Sequence, residues 1–478
     1  MNHHGSVRRI YHRAFRQISL LLGLAVALLF AACSGGTYHD PETSGSSANL
    51  VGSVYQGVNP TDIVQQYVTE FHPLWYSYHQ FQLAAPNRLQ GPNKVTSIYH
   101  FVVAINNDTV YAAGMLDLSA QPVILTQPQT SVTYSILLLD PYGNKVSSTL
   151  LPQAGVYGFV GPNNTTALPA GITPVNLPYN SVIIIFRADK FTGGQDMTAL
   201  AEQLRTSTSM ETLSDYQNDP SGGATLVLPE ILYSVPYKTI VDQLMTNAPM
   251  LYLAQLQTSV KSSNTPPLTP EQQSLSDAFD QVYANGNLTR DQATAMGASV
   301  TAAYNQMVSN YLTNTGPTNW ITFPDIANWG TNVLNRASIT EYIQYANDAT
   351  AARYYHAFSD GTGAALDGSR GNGYVLTFPA GQQPQASRFW SLTGYTPEAI
   401  ELIPNLAQTY LVASYTPGLQ TNPDGSVSIY MAVTNPPGVP VANWLPIPRG
   451  PFNVMLRVYG PAGSVAAGTY VPPGITTL

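Results

Sequence analysis

Two changes of hydrophobic period along the chain restrict its architecture more than any single motif does. Between His100 and Arg187 the sequence runs in short β-branched and aromatic stretches, "IYHFVVAI", "PVILT", "SVTYSILLLD", "GVYGFVG" and "NSVIIIFRA". Turn signals at Asp140-Pro141-Tyr142-Gly143-Asn144 and Gly161-Pro162-Asn163-Asn164 separate them, the rhythm of a sandwich or jelly roll. After Gly193 apolar residues recur every three or four positions in "DMTALAEQLRTS", "PYKTIVDQLMTNAPMLYLAQLQ", "TPEQQSLSDAFDQVYA" and "TRDQATAMGASVTAAYNQMVSNYL", which predicts helices. Thr269 is placed to cap one of these, with Pro270 in its first turn. Residues 339 to 358 read as a further helix, and from Tyr374 strands return in "GYVLTF", "RFWSLTGY", "TYLVASY", "SVSIYMAV" and "FNVMLRVYG". Near the start, residues 60 to 83 have helical spacing interrupted by Pro73, which predicts two short helices.

At 478 residues the chain exceeds one ordinary domain. The expected fold is mainly β with α: two β-sandwich, jelly-roll-like domains connected by a helical region. The expected boundaries place one sandwich at 59–205, a helical connector at 206–319 and the second sandwich at 320–478.

Only 10% of residues are charged and the formal net charge is -8, with no lysine or arginine cluster after Arg16. That leaves out the basic footprint nucleic acid requires, so no nucleic-acid partner is expected. The single cysteine, Cys33, allows no disulfide within the chain, so stability must come from buried core.

Cys33 also closes the N-terminal pattern. Arg8, Arg9, Arg13 and Arg16 precede an apolar run from Ile18 to Ala32, with no acidic residue before Asp40. This is the charge asymmetry of an export signal, and the run is shorter than the ~20 residues that span a bilayer. Residues 1–33 are therefore expected to be a signal peptide, and Ala31-Ala32-Cys33 resembles a lipobox. Lipidation of Cys33 would anchor an exported protein to a membrane, periplasmic or outer-membrane-bound, through a flexible tether at 34–58; the alternative is plain cleavage near Ala32.

Standard catalytic signatures are missing: no HExxH, P-loop, GxSxG, CxxC or Rossmann fingerprint occurs. His72 and His79 would lie about 10 Å apart along a helix, and no metal site is expected. A cofactor is not specified by any motif.

The densest polar stretch is "NNDTVYAAGMLDLS" at 106–119. If Thr109 to Met115 is a strand, Asp108 and Asp117 sit at opposite ends, up to roughly 30 Å apart, too far for one carboxylate dyad unless the chain turns at Gly114. Asp108 is the candidate acid or base, with Tyr111 and Asn107 as hydrogen-bond partners and Arg187 to hold an anionic group; the structural alternative is an Asx turn at the strand start. In the second sandwich, Trp390, Tyr395, Trp444 and Tyr459 with Asn372 and Asn443 form a mixture suited to a small-molecule or glycan ligand, with Arg449 or Arg457 as anion contact, against the alternative of core packing. "NWLPIPRGPF" at 443–452 is predicted to be a rigid loop rather than a strand.

Two long stretches carry a resemblance. "NNDTVYAAGMLDLSAQPVIL", "GVYGFVGP" and "VIIIFRADKFTGGQDM" resemble the DUF1254 family over about 95–205. "NVLNRASITEYI", "LDGSRGNGYVLTFPAGQQP", "RFWSLTGY", "NPDGSVSIY" and "NWLPIPRGPFNVMLRVYGP" resemble DUF1214 over about 320–478. The resemblance implies two sandwich-like domains with helical connections and brings no settled activity. The expected function is thus an exported envelope protein, an enzyme on an extracytoplasmic substrate or, alternatively, a non-catalytic ligand-binding or scaffold lipoprotein.

Overall fold

The computed structural model describes residues 55, 57–82, 84–146, 153–230, 233–283 and 288–478. The expected signal peptide, the expected lipidation site at Cys33 and most of the expected tether lie outside these residues. Among those described, nineteen strands and nine α-helices make a mixed α/β protein.

Helix α1 (Pro60–Phe81) opens on Asn59, whose side chain accepts from the Thr61 amide at 3.1 Å. It runs through Pro73 as one 22-residue helix, not two. A proline costs a backbone hydrogen bond, but here burial on all sides supports the helix: Val64, Tyr67, Val68, Phe71, Leu74, Trp75 and Tyr76 are all in core.

Strands β1 (Gln90–Pro92), β2 (Thr109–Asp117), β3 (Val123–Gln127), β4 (Tyr134–Leu139), β5 (Gly155–Val160), β6 (Thr173–Asn176) and β7 (Ser181–Asp189) come next. A ribbon of β8 (Phe191–Thr192) and β9 (Gln195–Asp196), then α2 (Thr198–Ser207), β10 (Ser209–Thr212), α3 (Leu213–Asn218) and β11 (Leu226–Leu228) complete the first β region. They form two sheets, ordered β11-β1-β2-β7-β4 and β10-β3-β5-β6. The run "IYHFVVAI" is not a strand; residues 98–106 form turns and irregular chain, with Ala104 at a φ of 56°.

Four helices follow as the periodicity predicts: α4 (Tyr237–Asn247), α5 (Pro249–Val260), α6 (Pro270–Tyr283) and α7 (Arg290–Thr313). Thr269 caps α6 as expected, accepting from the Gln272 amide while Gln272 returns the bond to the Thr269 amide. The predicted helix at 339–358 divides. Helix α8 (Val333–Tyr342) ends, Tyr345 takes a φ of 54°, Asp348 accepts from the Thr350 and Ala351 amides in a turn, and "ARYYHA" becomes strand β12 (Ala352–Ala357). Aromatic spacing alone did not separate the two periods.

The second β region contains β13 (Tyr374–Phe378), β14 (Ala386–Tyr395), β15 (Leu411–Ala413), β16 (Val427–Ala432), β17 (Trp444–Pro446), β18 (Asn453–Pro461), the short α9 (Gly463–Ala466) and β19 (Thr476–Thr477). Its sheets are ordered β12-β18-β14-β15 and β17-β16-β13-β19. The proline-rich loop is in part a strand: Trp444 to Pro446 pairs in parallel with Tyr430 to Ala432, and Pro446 stands at the strand's end where its missing N–H is tolerated.

Strand alternation sorts the side chains. Val182, Ile184, Phe186 and Ala188 of β7 face one core with Val110, Ala112 and Leu116 of β2 and with Leu125 and Phe159 of the partner sheet. Ile183 and Ile185 face the opposite way, toward the helices. In β18, Val454, Leu456 and Val458 join Trp390, Leu376 and Ile429 in a core between the two C-terminal sheets, while Met455 and Tyr459 point to the helix side. Both central sheets are thus buried on both faces, which is why their strands read as unbroken hydrophobic runs. Arg187 falls on the Ile183–Ile185 face and Arg457 on the Met455–Tyr459 face.

Candidate functional site

Those two faces enclose a cavity of about 780 Å³, solvent at its mouth included, lined by β1, β2 and β7 from the first β region and by β12 and β18 from the second. The part of it that a water-sized body can occupy is about 60 Å³. Tyr111, Arg187, Asn106, Arg457, Tyr459 and Tyr354 are the polar and aromatic side chains that define it.

Register explains the convergence. Tyr111 lies directly opposite Arg187 across the β2–β7 ladder, and the guanidinium stands 5.7 Å from the tyrosine ring centre. Arg457 lies opposite Tyr354 on one side and Ser391 on the other. Asn106, one turn before β2, ties the halves together: its amide donates to the Tyr459 hydroxyl at 2.5 Å and its carbonyl oxygen accepts from Tyr111.

Both arginines are buried and neither has a carboxylate within 4 Å among the described residues. Arg187 donates to Asn347 Oδ1 at 3.1 Å and to the Tyr345 carbonyl at 2.7 Å. Arg457 donates to the Tyr395 hydroxyl at 2.7 Å and to the Ala104 carbonyl at 2.6 Å. The two carbonyls belong to Ala104 and Tyr345, two of the eight non-glycine residues held at positive φ among those described. A non-glycine residue in that region stores strain that the surrounding fold must over-determine, and such residues gather at sites with function. Here the strain aims neutral acceptors at two cations.

Asp108 does not line the cavity. It is fully buried; its Oδ2 accepts from Ser391 Oγ at 2.7 Å, and Oδ1 has no hydrogen-bond partner. Burial raises its carboxyl to about 6, with the nearby charge of Arg457 and the Ser391 bond pulling the other way. It is bonded to the strand that carries Ser391 and is not among the residues that line the cavity.

The remaining sequence candidates scatter. Asn107 donates to the Val95 carbonyl at 2.6 Å and lines a neighbouring chamber, not this one. Asp117, at the far end of a strand that does not turn at Gly114, accepts from Ser119 in a turn. A Cβ at Gly114 would collide with the Arg88 carbonyl, so that glycine serves close backbone approach. Tyr395 is buried as a support for Arg457, its hydroxyl donating to the Ile105 carbonyl at 2.8 Å. Trp390 packs in core against Phe378, ring centres 5.1 Å apart. Asn443 is buried and spent on Gln420 and Ser428 backbone. Trp444 is half-buried with its indole N–H on the Ala432 carbonyl, and Asn372 lies in an exposed turn. Tyr395, Trp390, Asn443, Trp444 and Asn372 do not meet in one ligand platform, because strand alternation and turn position send them to different surfaces.

Asn106, Tyr354 and the Tyr345 backbone were not legible as site residues. Asn106 opens the polar stretch at 106–119, but nothing in its spacing tells it from Asn107. Tyr345 and Tyr354 stood inside a segment whose period read as helical.

Residues 86–212 match the family described as Protein of unknown function (DUF1254), and residues 351–463 match Protein of unknown function (DUF1214). Among curated proteins none matches. The crystal structure of the VPA0106 protein from Vibrio parahaemolyticus is similar with a TM-score of 0.58 at 19% identity, covering 88% of this chain and all of that one. That likeness concerns the fold alone. An uncharacterised protein from Burkholderia cenocepacia matches with a TM-score of 0.41 at 12% identity over 88% of each chain.

Proposed function

We propose that this chain, which carries a DUF1254 and a DUF1214 domain, is a binding protein for a small organic carboxylate seated in the cavity between its two β regions. One observation carries the reading: two buried arginines face one cavity and, among the described residues, neither has a carboxylate within 4 Å, Asp108 acting on Arg457 only from a distance. Burying a guanidinium without a counter-charge is costly, and an anionic ligand that supplies one removes that cost. Arginine favours a planar carboxylate, which its fork meets with two parallel bonds. The ring faces of Tyr99, Phe101, Tyr111 and Tyr459 line the rest of the space and suit a flat apolar body.

Asp108 acts in this reading as the remote charge that positions Arg457, not as an acid or base. We take each β region as a jelly-roll-like sandwich, and the export pattern ending at Cys33 as the signal of an envelope lipoprotein. A carboxylate-binding protein outside the cytoplasm is consistent with that pattern.

The test is calorimetric titration of the full chain with benzoate, phenylacetate and medium-chain fatty acids against their primary amides. Carboxylates are expected to bind and the amides to bind at least about tenfold more weakly, the cost of losing a charge-assisted pair. Arg457→Met is expected to weaken carboxylates by about 10- to 100-fold. Equal binding of acids and amides would sink the proposal.

A further inference from the structure

On the other side of Tyr111 lies a second chamber, of about 750 Å³ with its opening, which shares only Pro92 and Tyr111 with the first cavity. Its character is different. The walls bring Lys94, Lys190 and Arg205 together against a single carboxylate, Glu202, with Asn107 and Tyr410 as neutral polar neighbours.

The cations are held but not neutralised. Lys190 donates to the Asn107 carbonyl and to Asn107 Oδ1, each at 2.7 Å. Lys94 donates to Gln408 Oε1. Neither ammonium has a carboxylate within 4 Å among the described residues. Arg205 is buried; one Nη donates to the Pro92 carbonyl and the other pairs with Glu202 at 2.5 Å, while its Nε is without a partner. The carboxylates of Asp108, Glu202 and Asp196 act on Lys190 only from a distance, against a burial that lowers its basicity. Asn107 is therefore a hinge that offers two neutral acceptors and keeps the Lys190 ammonium at the chamber wall.

We propose that this chamber binds a tetrahedral oxyanion, phosphate or sulfate, either free or carried as a monoester. Two compact ammonium groups with rotatable donors suit a tetrahedral group, whereas the paired arginine forks of the first cavity suit a planar one. The site goes beyond the carboxylate reading and does not depend on it.

The experiment titrates the full chain with sodium phosphate, sodium sulfate and phenyl phosphate, with sodium chloride at matched ionic strength as reference, reading thermal stabilisation and heat of binding. Phosphate and sulfate are expected to stabilise beyond chloride. Lys190→Gln is expected to weaken them about tenfold and Lys94→Gln about threefold, as loss of a charged hydrogen bond and of an exposed charge would. Arg457→Met is expected to leave phosphate binding unchanged, which separates this site from the first cavity. Tighter binding of phenyl phosphate than of phosphate assigns a monoester, and equal binding assigns the free ion; both support the site. No stabilisation beyond chloride, or wild-type affinity in Lys94→Gln, overturns it. Because Lys94 is exposed, that variant keeps the test open if Lys190→Gln does not fold.

Discussion

The helical region and the inter-sheet cavity both bury charge, and they handle it in opposite ways. Between α1, α4 and α8, Glu341 is met by His72 at 2.6 Å and by Lys238 at 3.0 Å, Lys238 also holds Asp242 at 3.0 Å, and the other nitrogen of His72 contacts the Tyr252 hydroxyl at 2.7 Å. Burial would raise the Glu341 carboxyl, but Lys238 and His72 outweigh it and bring it to about 2, whereas burial and the Glu341 charge push Asp242 up to about 7. Lys238, the buried ammonium there, has two carboxylates as partners. In the cavity Arg187 and Arg457 rest on carbonyls, a hydroxyl and an amide. A closed ledger of charge marks structure, and an open one facing empty space marks a place for a ligand.

The sharpest way to break this contrast is Glu341→Ala. It takes the carboxylate away from His72 and leaves Lys238 with Asp242 alone, and removing one partner of a buried pair costs about 3–5 kcal/mol. Denaturant unfolding is expected to show a loss of that size, with carboxylate affinity of the folded fraction unchanged. A loss under about 1 kcal/mol would mean that the helical cluster is not a structural lock.

Asp108 stands between the two cases, and pH separates it. Its folded-state pKa of about 6 lies above the ordinary value of 3.8. The folded state therefore holds this proton more tightly than the unfolded one; the associated stability is present below the unfolded value and is lost as pH rises through about 6. Asp108→Asn has no such group. The stability of the variant relative to wild type is expected to climb by about 3 kcal/mol between about pH 3 and pH 7.5. A flat difference across that range would show that Asp108 keeps an ordinary carboxylate pKa.

A smaller effect probes the geometry of the open charges. Arg187→Lys keeps the cation but loses the fork that spans Asn347 and the Tyr345 carbonyl. Carboxylate affinity is expected to drop about tenfold; an unchanged affinity would show that charge alone suffices and would weaken the case for a planar ligand.

Most strands of both β regions are legible because a sheet buried on both faces leaves long apolar runs between turn residues, whereas β12 and β17 are not, and Thr269 is legible because its capping partner lies three residues away. The convergence of Tyr111 with Arg187 was legible only as a suggestion, since it depends on a β2–β7 register that no local spacing encodes. Arg457 is legible as an anion contact near Tyr395, 62 residues away, which it does touch, but its other partner, the Ala104 carbonyl, is 353 residues away in sequence and is not. Pro73 misled for a related reason, because the helices that bury α1 are distant in the chain. What sequence hides here is contact between segments far apart, and the site consists of little else.

The smallest expected effect tests whether Asn106 joins the two β regions as its bonds suggest. Tyr111→Phe removes the donor to its carbonyl oxygen, and Tyr459→Phe removes the acceptor of its amide. Each change deletes one neutral hydrogen bond and is expected to cost about 1 kcal/mol of stability. If one side chain carries both bonds, loss of either frees Asn106 to turn, so the second change costs less once the first is made. A double-mutant cycle is therefore expected to give a coupling of about 0.5–1 kcal/mol, with the same sign in ligand affinity, since the amide also fixes where the Tyr111 and Tyr459 rings stand. Strict additivity would mean that the two tyrosines are held independently and that the cavity walls belong to two separately positioned halves.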